Sequence, residues 1–121
     1  MELNKKTKFL IVGLGLIGGS YAQALSEEGY EVGAIARREE TLKQAYEKGW
    51  IKHGQIETDE EYISQFDIVV FALYPHVFID WIKENQHCIK SGALLTDVTG
   101  VKRSVVYSVQ EKDENTSKKS R

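Results

Sequence analysis

The sequence predicts an α/β fold: an open, doubly wound, mainly parallel sheet with helices on both faces, in a single domain. Three observations carry this. Apolar runs short enough for buried strands (Phe9 to Val12, Ile68 to Leu73, Ala93 to Thr96) recur along the chain. Segments whose apolar residues keep helical spacing lie between them. A glycine-rich turn joins the first run to the first helical segment. Strands alternating with helices in this way build a parallel sheet covered on both sides.

The first strand stops at Gly13, and Gly13, Gly15 and Gly18 fit G-x-G-x-x-G. Leu16, Ile17, Tyr21, Ala22, Ala24 and Leu25 then recur as on an amphipathic helix. Strand, glycine turn and helix in that order is the context in which the pattern signals dinucleotide binding, the Rossmann-type arrangement. The first glycine permits a tight turn, the second lets backbone approach a pyrophosphate, and the third lets helix pack on strand. Free N–H groups and the positive end of the helix dipole then hold the phosphates. Gly13, Leu14, Gly15, Leu16, Ile17 and Gly18 are the candidate cofactor-binding residues of this turn.

Gly29 is placed to end the first helix. Glu31 to Ala36 reads as the second strand, with Gly33 giving room for close packing, and completes a right-handed βαβ unit. Arg37 and Arg38 follow. At this point, about twenty residues beyond the glycine turn, NAD enzymes carry an acid for the ribose 2′-hydroxyl, whereas an arginine accommodates the 2′-phosphate of NADP. Ala36 occupies the acid position. Arg37 and Arg38 are therefore candidate cofactor contacts that favour NADP, with NAD as the alternative; the competing assignment is a solvated pair facing Glu39 and Glu40.

Thr41 to Lys48 reads as a helix with Leu42, Ala45 and Tyr46 on one face, stopped by Gly49. Trp50 to Ile56 alternates weakly and suits a short edge strand or a loop. Asp59 to Gln65 is a short acidic helix, Ile68 to Leu73 is the clearest strand, and Tyr74-Pro75 ends it. His76 to Gln86 is a helix with Val77, Phe78, Trp81 and Ile82 on its inner face. Ala93 to Thr96 is a strand ending at Asp97, and a last helix is expected over Val101 to Val109. Residues 110–121 contain no apolar side chain and cannot offset the entropy of ordering, so the domain is assigned to 1–109 and a disordered tail to 110–121. Ligands bind such sheets at the carboxyl ends of the strands, where strand order reverses. Ala72, Leu73 and Tyr74, then Asp97, stand at such strand ends and join the candidate cofactor contacts.

Composition narrows the function classes. At 121 residues the chain holds one core. A net charge of −2 offers neither a basic footprint for nucleic acid nor a polybasic membrane patch. The apolar runs are too short to span a bilayer, and Met1 to Lys8 contains no hydrophobic signal region. The single cysteine, Cys88, cannot form an internal disulfide, which suits the cytoplasm. No His, Cys, Asp and Glu spacing resembles a metal site. His76 is the only histidine near the site and reads as exposed at a helix start rather than as an acid–base group. His53 and His87 read as surface residues, Cys88 as a small hydrophobe, and Trp50 and Trp81 as core or subdomain contacts. Asp97 either caps the following helix or touches cofactor; Lys102 either reaches a substrate carboxylate or is solvated.

Three segments together resemble the N-terminal nucleotide-binding domain of the prephenate/arogenate dehydrogenase family. Val12 to Ser20 is similar to that family's opening motif, Asp67 to Pro75 to its second cofactor-contacting segment, and Asp97 to Lys102 to its Asp-x-x-Ser-Val-Lys segment. The resemblance covers roughly residues 8–109. It implies a longer enzyme that oxidatively decarboxylates prephenate, or arogenate, in tyrosine biosynthesis: hydride leaves the hydroxyl-bearing ring carbon for the nicotinamide, and loss of CO2 from prephenate gives 4-hydroxyphenylpyruvate. It also implies a homodimer held by a helical C-terminal domain. Two departures stand out. The family's serine in the third segment falls on Gly100, leaving polar contact to Thr99 or backbone. The family's catalytic histidine belongs to a Gly-x-His-Pro motif, and this sequence has no His-Pro. No catalytic residue is therefore assigned; the histidine is expected beyond the chain end, and the chain alone is expected to bind cofactor with little or no turnover. The rival readings are a standalone NAD(P)-binding or redox-sensing module and another hydroxyacid dehydrogenase of the same fold.

Overall fold

The computed structural model describes residues 5–98 and the backbone of residues 105–108. Strands β1 (Lys8–Val12), β2 (Glu31–Ile35), β3 (His53–Gln55), β4 (Ile68–Phe71), β5 (Leu94–Asp97) and β6 (Val105–Ser108) form one sheet in the order β3-β2-β1-β4-β5-β6. The first five run parallel, and β6 returns antiparallel to β5. The helices are α1 (Leu16–Glu27), α2 (Glu39–Glu47), α3 (Glu60–Ile63) and α4 (Pro75–Asn85), with a 3-10 turn at Gln86–Cys88.

Alternation along each central strand feeds two cores. Phe9, Ile11, Val32, Ala34, Ile68 and Val70 face one layer with Ala22 of α1 and Leu42 and Ala45 of α2. Leu10, Val12, Ile35, Val69, Phe71 and Leu95 face the other with Ile63 of α3 and Phe78 and Trp81 of α4. This is why β1 and β4 are almost wholly apolar: a strand between two helical layers has no solvent face. Below the strands, the Asp67 carboxylate ties their starting ends, accepting from the Lys8 N–H at 2.8 Å and from the Lys90 ammonium.

The structure corrects two expectations and decides a third between its stated alternatives. Residues 105–108 are a strand rather than part of a helix over Val101 to Val109, and 101–104 and 109 lie outside the described residues, as does the segment 110–121. The β-branched pair Val105-Val106 and Tyr107 suit an edge pairing with β5 as well as they suit helical spacing. The ambiguous stretch after Trp50 resolves as the edge strand β3. Finally, α1 packs on the sheet through Gly18, Gly19 and Ala22, while Leu16, Ile17 and Tyr21 stay exposed. Small residues let the helix axis approach so closely that Leu16, Ile17 and Tyr21 fall outside the contact, while Leu25 still packs on it.

Candidate functional site

β1 pairs with β2 on one side and with β4 on the other, so the strand order reverses at β1. The connections leaving β1 and β4 lead to α1 and α4, in opposite layers, the arrangement that in open α/β sheets makes a crevice at the carboxyl edge. Single hydrogen bonds extend the ladders by one residue: Gly13 N–H to Ile35 O at 2.9 Å, Ala72 N–H to Val12 O at 2.9 Å, and Val98 N–H to Phe71 O at 3.0 Å. They bring the glycine turn, the Ala72-Leu73-Tyr74 loop and the end of β5 to one edge.

The three glycines of the turn have different physical reasons. Gly13 has φ +97°, and a Cβ there would lie 2.6 Å from the Ala72 carbonyl oxygen. At Gly18 a Cβ would lie 1.8 Å from the Gly13 carbonyl oxygen and 3.2 Å from Ala72 Cβ. Both are glycine because protein occupies the space. Gly15 is the opposite case: a Cβ there meets nothing within 4 Å, and its φ of −76° is open to any residue. Nothing among the described residues requires glycine at 15.

Electrostatics single out the same place. Gly15 is the N-cap of α1 and Tyr74 that of α4; neither helix has a side-chain cap or an acidic residue in its first turn. Elsewhere the chain supplies its own anions: Glu39 and Glu40 open α2, and Glu60 and Glu61 open α3, which Asp59 also caps. The first-turn N–H groups of α1 and the positive end of its dipole thus have no side-chain cap and no acidic residue in their own turn. This edge can accept an anion.

Ala36 ends the β2 connection, buried, and presents no carboxylate. Arg37 and Arg38 are both exposed. Arg38 pairs loosely with Glu40 at 3.7 Å, as the solvated-pair assignment predicted for one of the two, whereas Arg37 has no ion-pair partner among the described residues. Leu14 and Leu73 are half-buried on the two cores, and Leu16, Ile17 and Tyr74 project at 90%, 44% and 76% exposure. Asp97 ends β5 opposite Phe71 and is half-buried at the same edge. Thr99, Gly100 and Lys102 lie outside the described residues. His76 is exposed in the first turn of α4, its ring parallel to that of Tyr74 with centroids 6.4 Å apart. Cys88 is buried, and burial pushes its thiol up.

One expectation about histidine fails. His53 is half-buried and hydrogen-bonded through both ring nitrogens, to Glu31 and to Tyr62, where a surface residue was expected. The only local signal was Gly33: a glycine inside a strand marks close approach of other groups.

The sequence model of the family described as "Prephenate dehydrogenase, nucleotide-binding domain" matches residues 21–118. That span begins beyond the glycine turn, so the two observations rest on different residues. No curated protein sequence matches the chain. Among solved structures, Synechocystis arogenate dehydrogenase superposes with a TM-score of 0.71 at 24% identity, over 78% of this chain and 34% of that one. Prephenate dehydrogenase from A. aeolicus, in complex with hydroxyphenyl propionate and NAD+, gives 0.68 at 25% identity, over 80% of this chain and 35% of that one. A 3-hydroxyisobutyrate dehydrogenase from Mycobacterium tuberculosis gives 0.67 at 18% identity, over 77% and 31%, so the fold extends beyond one substrate class. The chain spans about a third of the length of these proteins.

Proposed function

Because the chain belongs to the family described as the nucleotide-binding domain of prephenate dehydrogenase, we propose that it holds a nicotinamide dinucleotide in the crevice, NADP in preference to NAD, as the coenzyme-binding part of an oxidoreductase acting on prephenate or arogenate. The observation that carries this reading is the open face over Gly15 beside an uncapped, acid-free helix start.

Backbone N–H groups of Leu14 to Gly18 take the pyrophosphate, with Gly13 and Gly18 holding the turn in shape. The exposed Arg37 guanidinium pairs with the 2′-phosphate, Arg38 adds charge beside it, and Ala36 contributes no repelling carboxylate. Ala72, Leu73 and Tyr74 form the opposite wall and exclude water; Asp97 lies toward the nicotinamide side, and Thr99 is kept as a candidate contact from the sequence. A bound nicotinamide ring supplies the hydride acceptor. The sequence contains no counterpart of the Gly-x-His-Pro histidine, so the substrate's hydroxyl proton has no assigned acceptor in this chain. Leu16, Ile17 and Tyr74, bare at the crevice mouth, suit a further domain closing over the coenzyme in a longer, homodimeric protein. The single cysteine, buried, fits a reducing compartment, and the cytoplasm is the location we assign. Among the described residues no helix is long and apolar enough to cross a membrane.

Calorimetric titration with each coenzyme tests the reading. NADP is expected to bind more tightly, and equal or tighter binding of NAD contradicts the assignment of Arg37. With prephenate and NADP together the chain alone is expected to produce no NADPH; an enzyme-like rate contradicts the missing-base argument.

A further inference from the structure

A hydrogen-bonded cluster lies where β2, β3 and α3 meet. His53 opens β3, with Nε2 3.0 Å from Glu31 Oε2 and Nδ1 2.9 Å from Tyr62 Oη. An ionised carboxylate only accepts, so Nε2 carries the hydrogen, and in the neutral ring Nδ1 accepts from the Tyr62 hydroxyl. The same hydroxyl oxygen accepts the Ala34 N–H at 3.3 Å. Space for this exists only because position 33 lacks a side chain: a Cβ there would lie 2.6 Å from both Tyr62 Oη and Phe66 Cζ, and 2.8 Å from His53 Cε1. Burial pushes the Tyr62 hydroxyl up to about 12, and the His53 hydrogen bond holds the Glu31 carboxyl below its ordinary value. Lys8 and Lys52 face Glu31 electrostatically, and Asp59 faces Tyr62.

The cluster is linked to the far end of β3. Asp59 accepts the Tyr62 N–H at 2.8 Å through one carboxylate oxygen and the Gln55 side-chain amide at 2.9 Å through the other. The Gln55 carbonyl in turn accepts the Ala36 N–H at 3.4 Å. Ala36 immediately precedes Arg37. A path of hydrogen bonds therefore runs from Glu31 through His53, Tyr62, Asp59 and Gln55 to the residue in front of the arginine pair.

We infer that Glu31, His53 and Tyr62 form a positioning clamp that fixes the Arg37–Arg38 loop toward the 2′-phosphate of a bound dinucleotide, so that this sheet edge sets coenzyme selectivity. The inference rests on the dinucleotide reading above. None of the three residues touches the coenzyme; they act through the β2–β3 edge. Removing one clamp bond loosens the loop that follows β2, whereas the pyrophosphate turn keeps its own bond from Gly13 N–H to Ile35 O and its packing on Ala72. The effect then falls on the coenzyme carrying the 2′-phosphate.

The test is calorimetry of NADP and of NAD with the whole chain, wild type and Tyr62→Phe. The substitution keeps the ring that packs edge-on against Phe66 at 5.2 Å and deletes only the hydroxyl. NADP is expected to weaken about threefold, a modest share of one hydrogen bond, with NAD unchanged and hydrogen exchange at the Ala36 amide faster. Glu31→Ala, read in parallel, moves the ratio of the two affinities in the same direction and covers the case in which Tyr62→Phe fails to fold. If wild type binds NADP and neither variant moves the ratio, the clamp is overturned and the dinucleotide reading stands. If wild type binds neither coenzyme, the dinucleotide reading itself has failed and the selectivity role falls with it.

Discussion

Substituting Gly15 and Gly18 separately, each by alanine, distinguishes a glycine kept for a ligand from one kept for the fold. At Gly18 the new methyl would lie 1.8 Å from the Gly13 carbonyl oxygen, which is backbone in a turn that is itself packed on Ala72. No rotamer relieves that overlap, so the turn must move, at a cost of about 3 kcal/mol or more, beyond the usual range for overpacking. At Gly15 the methyl meets nothing within 4 Å and the backbone sits at φ −76°. Lower unfolded-state entropy favours alanine there by about 0.4–1 kcal/mol, and its poorer N-cap character takes back a comparable amount. Stability should therefore stay within about 1 kcal/mol of wild type. A pyrophosphate held by the first-turn amides needs oxygen atoms about 2.9 Å from nitrogen. A methyl group on the approach keeps them away and forfeits one or two charge-assisted hydrogen bonds, worth about 1.5–3 kcal/mol each. Coenzyme affinity should fall at least about tenfold by calorimetry, while thermal unfolding followed by circular dichroism barely changes. A Gly15→Ala protein that binds either coenzyme as wild type does would refute the reasoning, as would one that unfolds like Gly18→Ala.

Other consequences are independent of any ligand. Gly33→Ala forces a methyl against Phe66, Tyr62 and His53 and should cost about 1–3 kcal/mol in chemical denaturation; an unchanged midpoint would mean the cluster is looser than described. For Asp67, burial pushes the carboxyl up, but the Lys90 ammonium and the Lys8 amide outweigh it, leaving it below the ordinary 3.8. A depressed carboxylate stabilises the fold above its unfolded value and loses that contribution as pH falls through the folded one. Wild type should thus lose this contribution as pH falls below about 4, and Asp67→Asn should lessen that loss; parallel acid-unfolding curves would contradict this. Cys88, buried with its thiol pushed up, should ignore a thiol reagent until denaturant is added.

What could be read from the sequence was local or pairwise along one strand. The glycine turn, the apolar runs of β1 and β4, and Gly33 as a close-packing position are patterns within a few residues, and the sheet and its two helical layers follow from their alternation. The exposure of Leu16 was hidden because helical periodicity counts apolar residues and does not see that glycines make the contact. Val105 to Tyr107 fits two periods at once, and only pairing with β5 decides between them. His53 depends on Glu31 and Tyr62, 22 and 9 residues away, and the Asp67 bond to Lys8 spans 59 residues. Contacts of that kind leave no trace in spacing.

The central claim is that the amides from Leu14 to Gly18 receive a diphosphate at the reversal point of the sheet. The direct measurement is a 15N-resolved NMR titration of the whole chain with inorganic pyrophosphate and then with NADP. Amide shifts confined to residues 14–18 with pyrophosphate, spreading to Arg37 and Arg38 with NADP, are the predicted result. Folded protein whose loop amides stay unmoved at millimolar concentrations of both, or whose shifts gather elsewhere, would contradict the account.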